Sequence, residues 1–258
     1  MIRIGVLTPH FASGPEVEFP AMVPGRLTTC LARVSPELAT VGVRAGRPTS
    51  SELSVLRRSL AEAAELLAHR SLHAIGYAST STSYGIGSDE DAALLSMLSQ
   101  RVGLPVSSTC ASAVRALRTF GVERVAIVHP PWFGAELNEL GAAYFRGEGF
   151  DVVSCASAAL SLDPSRIEAG AVYDWISRHV GDEAEAVFVG GNGFRAAGAI
   201  ASLEARLYRP ILTSNQVLLW NLLASAGAGS EVDGSGRLFT RRPRTAGWRR
   251  AAEMPGDR

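Results

Sequence analysis

Two kinds of apolar spacing alternate along this chain. Short apolar runs bounded by turn residues predict strands at 3–7, 38–43, 73–78, 106–108, 124–128, 151–155, 186–190 and 210–213. Longer amphipathic segments predict helices over 51–69, 88–101, 110–120, 135–148, 163–179, 196–207 and 215–226. In the first of these, Leu53, Leu56, Leu60, Ala63, Ala64 and Leu67 keep a helical period. Strands alternating with helices imply an α/β fold built on parallel sheets with right-handed crossovers. The order also repeats. Each half carries an apolar strand, a Gly-rich or hydroxyl-rich turn, a helix, a Pro-led strand and a Ser/Thr-opened helix, around Pro105 in one half and Pro210 in the other. Two such units facing one another place both turns in a shared cleft.

Composition narrows the class. With 47% hydrophobic and 19% charged residues over 258 positions, the chain has the make-up of a globular protein with a full core. Its formal net charge is zero, so no global field favours nucleic acid or a membrane surface. No apolar run has the length needed to span a bilayer, and Met1–Leu7 reads as a first strand, not a leader. Cys30, Cys110 and Cys155 are odd in number and widely spaced, unlike a disulfide framework or zinc site, and the expected compartment is the cytoplasm. All 25 basic residues are arginine, which rules out a lysine-anchored cofactor. From residue 237 the sequence turns irregular and basic, and 237–258 reads as a mobile, solvated tail.

The candidate chemistry concentrates in the first turn. Tyr77-Ala-Ser-Thr-Ser-Thr-Ser-Tyr84 follows an apolar strand and precedes a helix expected to start near Ser88. Ligands bind at that strand end in open parallel sheets. Ser79, Thr80, Ser81 and Ser83 offer hydroxyls to an anion, or else merely cap the helix. Opposite, Gly190-Gly191-Asn192-Gly193 supplies a second donor turn. Neither turn holds cysteine, histidine, lysine or a carboxylate.

In its motif order over roughly 2–226, the sequence resembles the aspartate/glutamate racemase superfamily, in its maleate isomerase and arylmalonate decarboxylase branch. The stretches that carry the likeness are 76–84, 103–127 and 190–194, followed by 199–204 and 210–220. The resemblance implies two Rossmann-like lobes with parallel sheets, related by a pseudo-twofold axis, with the site between them and no cofactor. It implies a first lobe of 1–120 plus 214–236, to which the last helix returns, and a second lobe of 121–213. It also implies proton transfer at a carbon next to a carboxylate. Family members place a cysteine on one or both sides of the cleft. Here the first such position is Ser79, and the second falls at Gly191, or at Gly190 or Asn192 with an offset of one. A tyrosine that holds the carboxylate is replaced by Trp132 or Phe133.

Other groups must then move the proton. His129 and His10 each follow a strand and titrate near neutrality. Cys110 is expected at a helix start capped by Thr109, where the dipole lowers a thiol pKa; the alternative is a small buried residue. Tyr84 is a candidate donor, Glu16 and Glu18 a base or lid, Asn215 and Gln216 cleft-rim groups or caps, and Arg195 a partner for a second carboxylate. The expected function is a cofactor-independent isomerase or decarboxylase/lyase acting on a small (di)carboxylic acid through an enediolate-like intermediate. Alternatives are a non-catalytic carboxylate binder, or a hydrolase using a serine of the Ser79–Ser83 turn. No nucleic-acid or membrane partner is expected, and a homodimer is the default assembly.

Overall fold

In a computed structural model, residues 1–43, 48–228, 232 and 235–241 are described. Their eight strands are β1 Ile2–Thr8, β2 Leu27–Arg33, β3 Ala74–Tyr77, β4 Val106–Ser108, β5 Arg124–His129, β6 Asp151–Ser157, β7 Ala186–Val189 and β8 Ile211–Thr213. Their nine α-helices are α1 Pro15–Met22, α2 Ser50–Ala68, α3 Thr80–Ile86, α4 Ser88–Val102, α5 Thr109–Phe120, α6 Ala135–Gly147, α7 Ala169–His179, α8 Ile200–Leu207 and α9 Ser214–Ser225. The strands form two four-stranded sheets, β2-β1-β3-β4 and β6-β5-β7-β8. Every pairing is parallel, and the two sheets share one strand order. The protein is α/β with two doubled units, as the alternation predicts.

Helices cover both faces of each sheet, as parallel strands buried on two sides require. Helices α2 and α4 bury Leu56, Leu60, Leu94 and Leu98 against one face of the first sheet. Helices α7 and α8 bury Ile176 and Leu203 against one face of the second. A third cluster runs between the sheets, from Ile4 and Val6 through Trp220 and Phe145 to Ile127 and Phe188. Helix α9 is buried around its whole circumference from Ser214 to Leu223, so an amphipathic stripe is absent from it. It packs on α5 and β3, which returns the chain to the first sheet.

Four expectations fail locally. The strand expected at 38–43 is a 3-10 turn at Pro36–Thr40, because Pro36 opens it and Gly42, at φ +74°, closes it. The strand beside β1 is instead β2, a half-buried edge strand whose apolar alternation is weak. The hydroxyl-rich segment is a helix: Ser79 caps α3 by accepting from the Thr82 N–H. Serine and threonine are poor helix formers, so tertiary partners make this helix, not propensity. The helix expected over 163–179 is shortened to α7, after a 3-10 turn at Pro164–Arg166. The tail expected from 237 begins as packed structure: Leu238 and Phe239 are buried, and Trp220 Nε1 donates to the Arg241 carbonyl. Residues 242–258 of that tail lie outside the described residues. Among the described residues no helix is long and apolar enough to cross a membrane.

Candidate active site

The carboxyl ends of β1, β3 and β4 form one wall of the cleft. Thr8 Oγ1 donates to the Ala78 carbonyl at 3.1 Å, which ties the two central strand ends together. Thr8 Oγ1 also accepts from the His10 N–H at 3.4 Å. The His10 ring is half-buried, and its Nε2 is buried with no hydrogen-bond partner. Burial first, and the nearby Arg33 charge second, push its pKa down to about 4.

Most hydroxyls of the Ser79–Ser83 segment are spent inside the protein. Thr82 donates to the Leu38 carbonyl at 2.8 Å, so it accepts from Tyr77 OH at 2.9 Å and from Ser79 Oγ at 2.8 Å. Ser81 Oγ lies 3.4 Å from Ser79 Oγ. Ser83 donates to Asp91 at 3.1 Å, and the same buried carboxylate accepts from Ser108 at 2.6 Å and Tyr144 at 2.9 Å. The Ser79 and Ser83 hydroxyls are therefore engaged in a structural network, and Ser81 adds only its 3.4 Å contact with Ser79. Only Thr80 keeps a buried hydroxyl with no partner.

The second wall is the end of β5 and the turn after β7. His129 is fully buried, with Nδ1 2.7 Å from Asn138 Oδ1 and Nε2 3.0 Å from Tyr84 OH. Oδ1 can only accept, so Nδ1 carries the proton and Tyr84 donates to Nε2. Burial pushes the His129 pKa down to about 4 and the Tyr84 phenol well up. Both groups expected to move protons are thus neutral, mutually bonded and enclosed. Cys110 is enclosed too. Its Sγ lies 3.9 Å from the Thr80 carbonyl, and burial, then Asp91, push the thiol well above its usual range. The cap of α5 is Ser108, one residue earlier than expected, and the dipole gains nothing against that desolvation.

In the turn after β7, Gly190 N–H bonds the Val128 carbonyl at 2.8 Å and Phe194 N–H bonds Gly191 at 3.0 Å. The N–H groups of Gly191, Asn192 and Gly193 donate to no acceptor among the described residues. Side chains are excluded here. A Cβ at Gly190 would lie 2.7 Å from His129 Cδ2, and one at Gly191, where φ is +88°, 2.8 Å from Pro130 Cγ. A buried amide chain fixes the turn. Asn215 Nδ2 donates to the Asn192 carbonyl at 3.0 Å and to Glu18 Oε2 at 2.7 Å, while Asn192 Nδ2 donates to Asn215 Oδ1 at 2.9 Å. Asn192 also reaches Thr109 Oγ1 at 3.0 Å, which joins the turn to the first sheet. Glu18 Oε1 accepts from the Ala197 N–H at 2.9 Å. Burial raises the Glu18 pKa, opposed by Asn215, Ala197 and the charge of Arg195.

Between the segment after β1 and the segments after β5 and β7 lies a pocket of 220 Å³ lined by His10, Trp132, Phe133, Gly191, Asn192 and Gly193. Phe11 and Leu162, 79% and 71% exposed, stand at its rim. Of the expected proton-moving groups, the fold brings His10 alone to this pocket. Trp132 and the Gly191–Gly193 turn join it there; Asn215 stands one bond behind. Glu16 pairs with Arg33 instead of forming a lid, and Gln216 closes a capping box with Thr213 at the start of α9. Sequence reading missed Asn138 and Thr109 as partners, and no local pattern marks either. The partner of Glu18, Asn215, lies 197 positions away and has no local signal either. Among the described residues no group of three or more His, Cys, Asp or Glu side chains is placed to hold a metal.

Known proteins place this arrangement in a family. Residues 47–239 match the family model for arylmalonate decarboxylase. Arylmalonate decarboxylase of Bordetella bronchiseptica is 25% identical over 215 residues, covering 81% of this chain and 89% of that protein. The structure of unliganded arylmalonate decarboxylase superposes with a TM-score of 0.79 at 22% identity, covering 93% of this chain and 99% of that one. A maleate isomerase from Pseudomonas putida, solved with maleate, gives a TM-score of 0.79 at 21% identity over 93% and 97% of the two chains. With the matched segment covering β3 and β4 of the first sheet, the whole second sheet and both turns, the chain belongs to the arylmalonate decarboxylase family and is an isomerase or lyase of the aspartate/glutamate racemase superfamily.

Proposed function

We propose that the chain acts on a small (di)carboxylic acid, next to a carboxylate, through an enediolate-like intermediate, with His10 in place of a thiol as the proton carrier. The observation that carries this reading is one pocket bordered both by His10, whose buried Nε2 has no partner, and by three unspent turn N–H groups. Such fixed donors stabilise a developing oxyanion by about 3 kcal/mol each when removed singly in comparable sites. They demand no reorganisation as charge forms. The apolar side of the pocket, Trp132 and Phe133, suits a hydrocarbon substituent on the acid.

His10 is neutral in the empty pocket, because burial and Arg33 disfavour its charged form. A bound dianion reverses that balance and raises its pKa. In the decarboxylation of a substituted malonate, the bond from the α-carbon to one carboxylate breaks and carbon dioxide leaves. The electron pair stays as an enediolate, and the imidazolium proton passes to the α-carbon. Solvent then reprotonates the ring. This sequence needs one proton and no nucleophile. Cis–trans isomerisation by covalent addition needs a nucleophile, and Ser79, Gly190 and Gly191 supply no thiol. Lyase chemistry is therefore favoured over isomerisation.

A hydrolase reading finds little support, since none of the Ser79, Ser81 and Ser83 hydroxyls bonds a histidine among the described residues. The test is a panel of maleate, aspartate and substituted malonates, followed by NMR in deuterium oxide and by carbon dioxide release. Product from a substituted malonate, with solvent deuterium at the α-carbon, is expected. Binding of these acids without turnover or deuterium exchange instead marks a non-catalytic carboxylate binder.

A further inference from the structure

We propose that the groove beside the edge strand of the first sheet is a second binding site, for a monocarboxylate with an apolar chain or ring. The groove has a volume of 790 Å³, several times that of the cleft pocket and within the size range of small-molecule sites. Its base is the free edge of β4 at Val106 and Ser107, and its sides are Leu95 and Ser96 of α4 with Val114 and Arg115 of α5. None of these residues borders the cleft pocket.

Arg115 gives the groove its selectivity. The side chain is half-buried, and no carboxylate pairs with it among the described residues. Its Nη1 donates to Asn221 Oδ1, a neutral acceptor, at 2.7 Å. Asn221 Nδ2 in turn donates to Ser107 Oγ at 2.8 Å and Ser112 Oγ at 3.0 Å, which fixes the amide and so aims the guanidinium. Burial lowers the Arg115 pKa, and no neighbouring acid opposes that shift. The other charges of the groove are already answered. Arg118 pairs with Glu148 at 2.7 Å, and Asp91 accepts from three hydroxyls. One preorganised, unneutralised guanidinium among Leu95, Leu104, Pro105, Val106 and Val114 matches one carboxylate attached to an apolar body.

Calorimetric titration of the full chain with octanoate and with octanol tests the assignment. Octanoate is expected to bind, and octanol to bind about tenfold more weakly. Arg115→Leu is expected to cut octanoate affinity about tenfold and to leave octanol unchanged. Ser96→Trp, at an exposed position on the groove wall, fills the groove and abolishes binding of both. Octanoate binding that survives both substitutions places the ligand elsewhere and overturns the proposal. So does a wild-type chain that ignores octanoate and sediments as a dimer which Ser96→Trp dissociates, since the groove is then an interface between two copies.

Discussion

His10 and His129 are the same residue type at comparable strand ends, yet their surroundings differ. His129 has both ring nitrogens bonded, to Asn138 and Tyr84, and is sealed from solvent. His10 borders the pocket and keeps a buried Nε2 without a partner. His10→Gln is expected to lower kcat/KM for a decarboxylated malonate by roughly a hundredfold, the scale of a lost general acid. In the wild type, kcat/KM should fall as pH rises above about 4, because the free ring loses its proton; in His10→Gln that slope should vanish. An unchanged rate in the variant removes His10 from the mechanism. For His129 the readout is stability. A folded pKa of about 4, below the unfolded value near 6.5, means that the unfolded chain binds the proton first as pH falls. Stability is therefore present above about pH 6.5 and lost on descent toward 4, by up to about 3 kcal/mol for this buried ring. Urea unfolding across that window should show the slope in the wild type, and a shallower one in His129→Asn.

At the scale of elements, the cleft is built by pieces that have little tendency to form alone. Helix α3 is a run of hydroxyl residues that becomes helical because Ser79 caps it and Thr82 and Ser83 find Leu38 and Asp91. The turn after β7 keeps its N–H groups free because α9 presents Asn215 to its carbonyl and α1 presents Glu18 to Asn215. Asn215→Ala breaks this chain at its centre and strands a buried carboxylate. The expected loss is about 3 kcal/mol, measured by chemical denaturation, together with a rise in KM as the turn loosens. Asn215→Asp is expected to be worse than Ala, since it sets a second carboxylate against Glu18. If Asn215→Ala unfolds like the wild type, the amide chain is not what holds the turn.

The whole molecule is two parallel sheets tied across one cleft by Tyr84–His129, Tyr144–Asp91, Asn192–Thr109 and Glu18–Ala197. That closure also decides what the turns can carry. Gly190→Cys would drive a side chain into the His129 ring and should cost about 2 kcal/mol. Adding His129→Ala makes room, so the pair should be less damaging than the sum of its parts by about 1 kcal/mol in a double-mutant cycle. Additive losses would mean that the ring is not the obstacle. By itself the sequence determined the α/β class, the doubled order and most strands and helices, because apolar period and turn residues are local signals. It also determined that the two turns lack thiols, and the family those turns belong to. It misplaced β2, whose edge position weakens alternation, and it missed α3, whose stability comes from distant partners. Which of His10, His129, Tyr84, Cys110 and Glu18 are bonded, and which keeps a polar atom without a partner, was decided only by tertiary structure. Reactivity follows from which polar atoms stay unpartnered beside open space, and that depends on contacts between residues as far apart as Glu18 and Asn215.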